Sequence, residues 1–584
     1  MAGGGYGDVA NSLPGGRVGV GDPEHRMRLE GVRKQVIETG RNRLLVIGAL
    51  FGFGFLVIAG RLVDVTIFKQ GNEPRLAQAV PASTWKAERA DIVDRNGVLL
   101  ATSLATASLY ANPRHILDAG EAAHQLTRLL PGLDSAEVES KLTSNRGFVW
   151  LRRHLTPRQQ YAVNRLGIPG LYFQREERQV YPHGRLLSHV LGFVGVDNRG
   201  LAGVENSLDE TLRQSTSALQ LSLDVRLQHI VRQELQAAMT KFGAIGAAGI
   251  MLDVHSGEVL AMVSLPDFDP NNPGVGPVEA TFNRNTHGVY EMGSTFKIFT
   301  TAMALDTGTA TLNSGYDATK PIRISRFVIT DYKPKKRWLS VPEIFVYSSN
   351  IGAVKMALDV GTANQKAYLA RLGLLRPAAI ELPEVGAPIV PSPWGKVHTM
   401  TIAFGHGIAV SPIQLVSAVA AIVNGGIMRP ATLIRRGPGE RDPGVRVIST
   451  ATSERMRRLL RQVVAQGTGR KAAVKGYMVG GKTGTSEKVG ARGYRRKALL
   501  SSFVGAFPMD DPRYVVFALL DEPRGTTGTY GYATGGWVAA PIVGRTIARA
   551  APLLGVAPVD ETAPRMRRKM YVRINSRDPR VASY

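Results

Sequence analysis

The chain has 584 residues, enough for two to four domains at about 100–200 residues each. Apolar residues make up 44% and charged residues 20%, a globular balance that excludes wholesale disorder and collagen-like repeats. Lys and Arg number 72 against 47 Asp and Glu, so the formal charge of +25 favours anionic partners, while the absence of cysteine removes disulfide frameworks, zinc-thiolate sites and cysteine nucleophiles.

Residues 1–25 are Gly-rich, and the whole segment 1–43 is expected to be disordered and cytoplasmic. Leu44 to Gly60 then runs for seventeen residues without a charge. Arg61 can snorkel and Leu62 to Phe68 is again mostly apolar, so a transmembrane signal anchor is expected over 44–68. Forty-three residues precede the span, which disfavours a cleaved signal peptide. Arg33, Lys34, Arg41 and Arg43 stand before it against Arg61, Lys69 and Arg75 after it, a small bias towards a cytoplasmic N-terminus.

Residues 69–218 mix short strand-like runs with turns and read as a folded spacer. Within them, RADIVDRNGVLLA (89–101) alternates around Asn96–Gly97, the signature of a tight hairpin. Residues 219–552 change character. Leu219 to Leu223 is a strand candidate, and Asp224 caps an expected helix to about Met239. AAGIMLDVHSGEVLAMVSL reads as two strands joined at His255–Ser256–Gly257, and LLSSFVGAF and YVVFALLDE as two more joined near Pro508–Pro512. Strands at both ends with helices between them predict an α+β domain with a central antiparallel sheet flanked by helices. The Arg-rich tail, 553–584, is expected to be flexible.

Three short triplets carry the chemistry. Ser294–Thr295–Phe296–Lys297 opens an apolar helical run, which places Ser294 at the positive end of a helix dipole and Lys297 one turn away on the same face. Burial of that lysine would lower its proton affinity and make it a base for the serine. Ser83/Lys86 has the same spacing but opens no such helix. Ser348–Ser349–Asn350 precedes a second helical stretch, where Ser348 can pass a proton to a leaving amine and Asn350 can orient Lys297 and a substrate amide. Lys482–Thr483–Gly484–Thr485 follows a short apolar run and is expected at an exposed strand end. There Lys482 can hold a carboxylate by charge, Thr483 and Thr485 by hydrogen bonds, and Gly484 permits close approach of a backbone. Backbone N–H groups of Ser294 and Thr485 are candidates for an oxyanion hole.

Ser-x-x-Lys, Ser-x-Asn and Lys-Thr-Gly in this order are motifs of penicillin-binding proteins and class A β-lactamases. Beyond residue 40 the chain resembles a class B penicillin-binding protein, a single-span peptidoglycan D,D-transpeptidase with a pedestal domain before its catalytic domain. RADIVDRNGVLLA resembles a pedestal motif, with Ala90 in place of the usual Gly. RQVYP and GLAGVE match two more, which implies structural roles for Arg178 and Glu205. Met292 stands where many members have Pro. The resemblance implies a pedestal over 69–218, a transpeptidase domain over 219–552, Ser294 as nucleophile, Lys297 as general base, and no cofactor or metal. Stem peptides are the implied substrates, donor D-Ala-D-Ala and acceptor amine, with β-lactams as inhibitors. A membrane glycan polymerase and other division proteins are the implied partners, and nucleic acid is not among them.

SSNIGAVKMAL, AFGHGIAVSPIQL, GGKTGTSEKVG and TGGWVAAPIVG are most similar to the septal, division-specific branch. The elongation-specific branch shares the chemistry and is the alternative. A penicillin-sensing receptor is a third reading, but such receptors generally have several spans and a cytoplasmic signalling domain. No Glu-x-x-Leu-Asn motif accompanies the triplets, so fast lactam hydrolysis is not expected. The catalytic domain is expected outside the cytoplasmic (inner) membrane, at the division site.

Overall fold

The computed structural model describes residues 45–60, 89–324, 327–437, 439–440, 442–490, 493–572 and 574. The chain divides into two units, 1–85 and 86–584. In the first unit residues 45–60 form a helix whose side chains are exposed, Leu50 at 67% and Phe55 at 70% among them. Among the described residues no helix is long and apolar enough to cross a membrane. Leu44 and residues 61–68 of the expected span, like segment 1–43, lie outside the described residues.

The second unit begins with the expected hairpin. β1 (Ile92–Val93) turns through Gly97, φ +84°, into the long β2 (Leu99–Ala111). The Asp94 carboxylate accepts from the N–H groups of Asn96 and Val98 and holds the turn. β3 (Val149–Leu155) and β4 (Leu171–Val180) pair with β2, and β5 (Leu219–Gln220) lies parallel to β1. One sheet face is covered by α1 (Ala119–Leu129), α2 (Ser135–Leu142) and α3 (Pro157–Asn164), capped by Asp118, Asp134 and Thr156, around a small core including Leu109, Leu126 and Leu151. Fully buried Arg89 pairs with Glu205 and Asp209, and Gln179 and Tyr181 donate to the other Glu205 oxygen. In RQVYP it is therefore Gln179 and Tyr181 that reach Glu205.

The larger layered region follows. Asp224 caps α4 (Val225–Phe242), which runs three residues beyond the predicted Met239 and is capped by left-handed Gly243. β6 (Gly246–Asp253) and β7 (Val259–Leu265) form the predicted hairpin. Then come α5 (Lys297–Asp306), α6 (Val341–Tyr347), α7 (Asn350–Val360), α8 (Pro412–Val423) and α9 (Thr450–Ala465). β8 (Gly480–Gly490), β9 (Gly493–Phe507), β10 (Tyr514–Asp521) and α10 (Ala540–Leu553) complete it. The sheet order is β8-β9-β10-β6-β7, antiparallel throughout. α4 and α10 cover one face, and α5, α8 and α9 lie on the other. This is the α+β arrangement that strands at both ends of the segment imply, because β10 must pair with β6 across more than 250 residues of sequence.

Two expectations change. Leu219–Leu223 is a strand only over Leu219–Gln220, since Ser222 N–H turns to Leu433 O. The expected flexible tail contains a helix, Pro564–Met570, docked on α9. Gln462 donates to Met570 O, Arg461 pairs with Glu561, and buried Met570 and Val572 supply the apolar contact that the Arg-rich composition conceals. Residues 573 and 575–584 lie outside the described residues.

Candidate active site

The structure brings all eight candidate residues together. Gly293–Phe296 is a 3-10 turn that runs directly into α5, so Ser294 sits at a helix start as the apolar run predicts. Lys297 is 1% exposed. Its Nζ lies 2.6 Å from Ser348 O, 2.7 Å from Asn350 Oδ1, 3.0 Å from Ser294 Oγ and 3.1 Å from Ser348 Oγ. The carbonyl and the amide oxygen can only accept, so they take two N–H groups. In the neutral amine the remaining lone pair then faces the two hydroxyls, where it can take the Ser294 proton. Burial holds Lys297 well below the usual lysine range, helped by the nearby charge of Lys482 and opposed by Asp331.

Ser348 ends α6 in the left-handed region, φ 60°, a conformation that costs a non-glycine residue energy. That bend turns both its carbonyl and its hydroxyl towards the lysines. Asn350 begins α7, with Ser349 as its cap, and its amide nitrogen donates to Thr330 O, which leaves Oδ1 for Lys297.

Lys482 is not at an exposed strand end. It lies within β8 and is 0% exposed, because β8 packs on α9 and on the Ser294 turn. Its Nζ is 2.9 Å from Ser348 Oγ, and burial pushes it down to about 7. Ser348 thus stands between two buried lysines. The Thr483 hydroxyl meets that of Thr468 at 2.9 Å, and Thr485 Oγ1 accepts from Gly535 N, leaving its own proton for a ligand. At Gly484 a Cβ would stand 2.7 Å from Met292 O, so the close approach this glycine permits is to the Ser294 turn. Gly293, φ +55°, likewise lies against Thr485 O, which sets Ser294 beside Thr485.

Sequence reasoning missed two residues. The buried Asp331 carboxylate accepts from Ser349 Oγ, Asn350 N and Ile351 N, at 2.7, 2.6 and 3.0 Å, and so anchors Ser348–Asn350. Its neighbours DYKPKKR read as a solvated charge run, which hides it. Glu291 accepts from Tyr494 OH and Gly407 N, tying the start of β9 to the turn before Ser294. Only proximity of Glu291 to Ser294 in sequence pointed to it.

The penicillin binding protein transpeptidase domain family matches residues 247–548, and the penicillin-binding protein dimerisation domain family matches 84–240. A probable peptidoglycan D,D-transpeptidase FtsI of Caulobacter vibrioides is 40% identical over 91% of this chain and 92% of its own length. Peptidoglycan D,D-transpeptidase FtsI of Escherichia coli is 30% identical over 80% of this chain and 84% of its own. Among solved structures, penicillin binding protein 3 of Mycobacterium tuberculosis, crystallised with aztreonam, superposes with a TM-score of 0.64 at 24% identity, covering 81% of this chain and 98% of that one, a likeness of fold.

Proposed function

This chain belongs to the penicillin-binding protein transpeptidase family, and from that premise we propose that it is a peptidoglycan D,D-transpeptidase that cross-links stem peptides at the division septum and is acylated by β-lactams. The septal branch is supported by the names of the two FtsI relatives. One observation carries the mechanism, the four oxygens around Lys297 Nζ.

Lys297 takes the proton of Ser294 Oγ as that oxygen attacks the carbonyl between the two terminal D-alanines. Lys482 and the hydroxyls of Thr483 and Thr485 hold the terminal carboxylate, and the N–H groups of Ser294 and Thr485 stabilise the oxyanion. Ser348, hydrogen-bonded to both lysines, delivers the proton to the departing amine. Asn350 holds Lys297 and the donor amide. An acceptor amine then attacks the acyl-serine and forms the cross-link. β-Lactams enter by the same acylation.

Residues 44–68 are the proposed single anchor in the cytoplasmic membrane, 69–218 the pedestal, and 219–552 the catalytic domain on the outer face. The pedestal holds too few residues for a glycan polymerase, so a partner supplies the glycan strands. The reading is tested by intact-mass analysis after penicillin is added to wild type and to Ser294→Ala. A stable adduct on the Ser294 peptide of wild type alone is expected. An adduct on both proteins names another serine, and an adduct on neither removes the acyl-enzyme.

A further inference from the structure

Alternate residues of β8 form a ruler along the site. Lys482, Gly484 and Ser486 share one strand face, because successive side chains of a strand point to opposite faces. Lys482 reaches Ser348, Gly484 lies against Met292 O, and Ser486 Oγ donates to Glu291 O. Each step of two residues covers about 7 Å. On the proposed mechanism the leaving D-alanine is held at the Lys482 end and the acyl carbonyl at Ser294 and Thr485. The rest of the donor therefore runs on past Thr485 towards Ser486. An extended peptide advances by the same step as the strand, which brings the side chain of the residue before the acyl D-alanine within reach of Glu291.

Glu291 is a half-buried carboxylate at that end. Oε1 accepts from Gly407 N at 2.8 Å, and the Tyr494 hydroxyl lies 3.1 Å from both oxygens. Its neighbours are fixed, since Gly405 packs on the Ser294 turn so closely that a Cβ there would stand 2.0 Å from Gly293 O. Among the described residues no lysine or arginine pairs with Glu291, and burial raises its carboxyl above the usual range. The His406 ring stands 5.8 Å from that of Tyr494, but burial pushes His406 down to about 4, so it brings no charge. The donors around Glu291 leave acceptor capacity on Oε2, and a charge-assisted hydrogen bond from a cation would offset the desolvation.

We propose that Glu291, with Tyr494 beside it, is the subsite for a side-chain ammonium on the donor residue that precedes the acyl D-alanine, and that it selects donors carrying a free amine there. The inference rests on the transpeptidase reading and names what its donor must carry. The acceptor amine belongs to a neighbouring stem, and the stems of one polymer are alike, so a donor stem carries that amine as well.

The test uses the full-length protein and two thioester donors that end in D-alanine, one with lysine before it and one with Nε-acetyl-lysine. The kcat/KM for thiol release is divided by the fraction of enzyme that penicillin labels. Wild type prefers the lysine donor by on the order of tenfold, the effect of one hydrogen bond to a charged group, and the preference falls with salt. Glu291→Gln keeps the size of the side chain and an acceptor for Gly407 N but not the charge, so the ratio falls towards one. Equal rates for the two donors in penicillin-labelled wild type, or a preference that salt leaves untouched, overturn the subsite. So does a Glu291→Gln protein slowed equally on both donors, the behaviour of a tether that only fixes the Ser294 turn. Wild type that penicillin does not label overturns the transpeptidase reading itself.

Discussion

Lys297 and Lys482 are both buried, yet the proposed mechanism needs them in opposite charge states. Lys297 must be neutral to take a proton, and Lys482 must be charged to hold a carboxylate. The rate of penicillin acylation should therefore rise with pH as Lys297 loses its proton. It should fall again above about 7, where Lys482 loses its own. Lys482→Arg keeps the charge at all these pH values and should remove the descending limb, and a wild-type profile without that limb would take Lys482 out of carboxylate binding. Asp331→Asn tests the anchor. An amide keeps one acceptor oxygen for the Asn350 and Ile351 N–H groups but sets its NH2 against the donating Ser349 hydroxyl and removes the anchoring charge, so acylation should fall by roughly 10–100-fold, the range for a displaced positioning group. Circular dichroism should remain native, and an unchanged acylation rate would relegate Asp331 to capping α7.

At the scale of elements, the site exists because three separate pieces of chain touch with no room between them. The Ser294 turn meets β8 at Gly484, and β8 and β9 meet the segment before α10 at Gly535, where a Cβ would lie 2.2 Å from Ser502 O. Gly484→Ala must move Met292 O or the strand, which shifts Ser294 away from Thr485. Penicillin labelling should drop by more than tenfold while overpacking destabilises by about 1–3 kcal/mol. Full labelling with a native melting temperature would show that the turn can yield. The hairpin elements were legible because β-strand alternation and Asn-Gly turn chemistry are local. The docked helix Pro564–Met570 was not, because its apolar contact is confined to a few residues such as Met570 in a basic run.

For the molecule as a whole, Arg89 joins the first described residues of its unit to Glu205 and Asp209 through a buried network. Arg89→Ala leaves Glu205 buried without its partner, which should lower stability by about 3–5 kcal/mol and reduce the melting temperature. An unchanged melt would mean that water takes the place of the guanidinium. Topology is tested in cells. Protease added to intact spheroplasts should digest the 219–552 domain, and a protected domain would contradict the proposed orientation.

The sequence by itself determined the chemistry on offer: a serine and a lysine one helical turn apart, a Ser-x-Asn and a Lys-Thr-Gly, an α+β order of elements, and an apolar stretch before residue 60. These are local properties, set by spacing along one helix or strand. Only the tertiary structure decided that Lys482 is buried inside β8, that Ser348 is shared by two lysines, and that Asp331 anchors Asn350. Those facts depend on contacts between residues as far apart as 297 and 350 or 348 and 482, and desolvation, which tunes both lysines, is a property of the packed neighbourhood rather than of any segment.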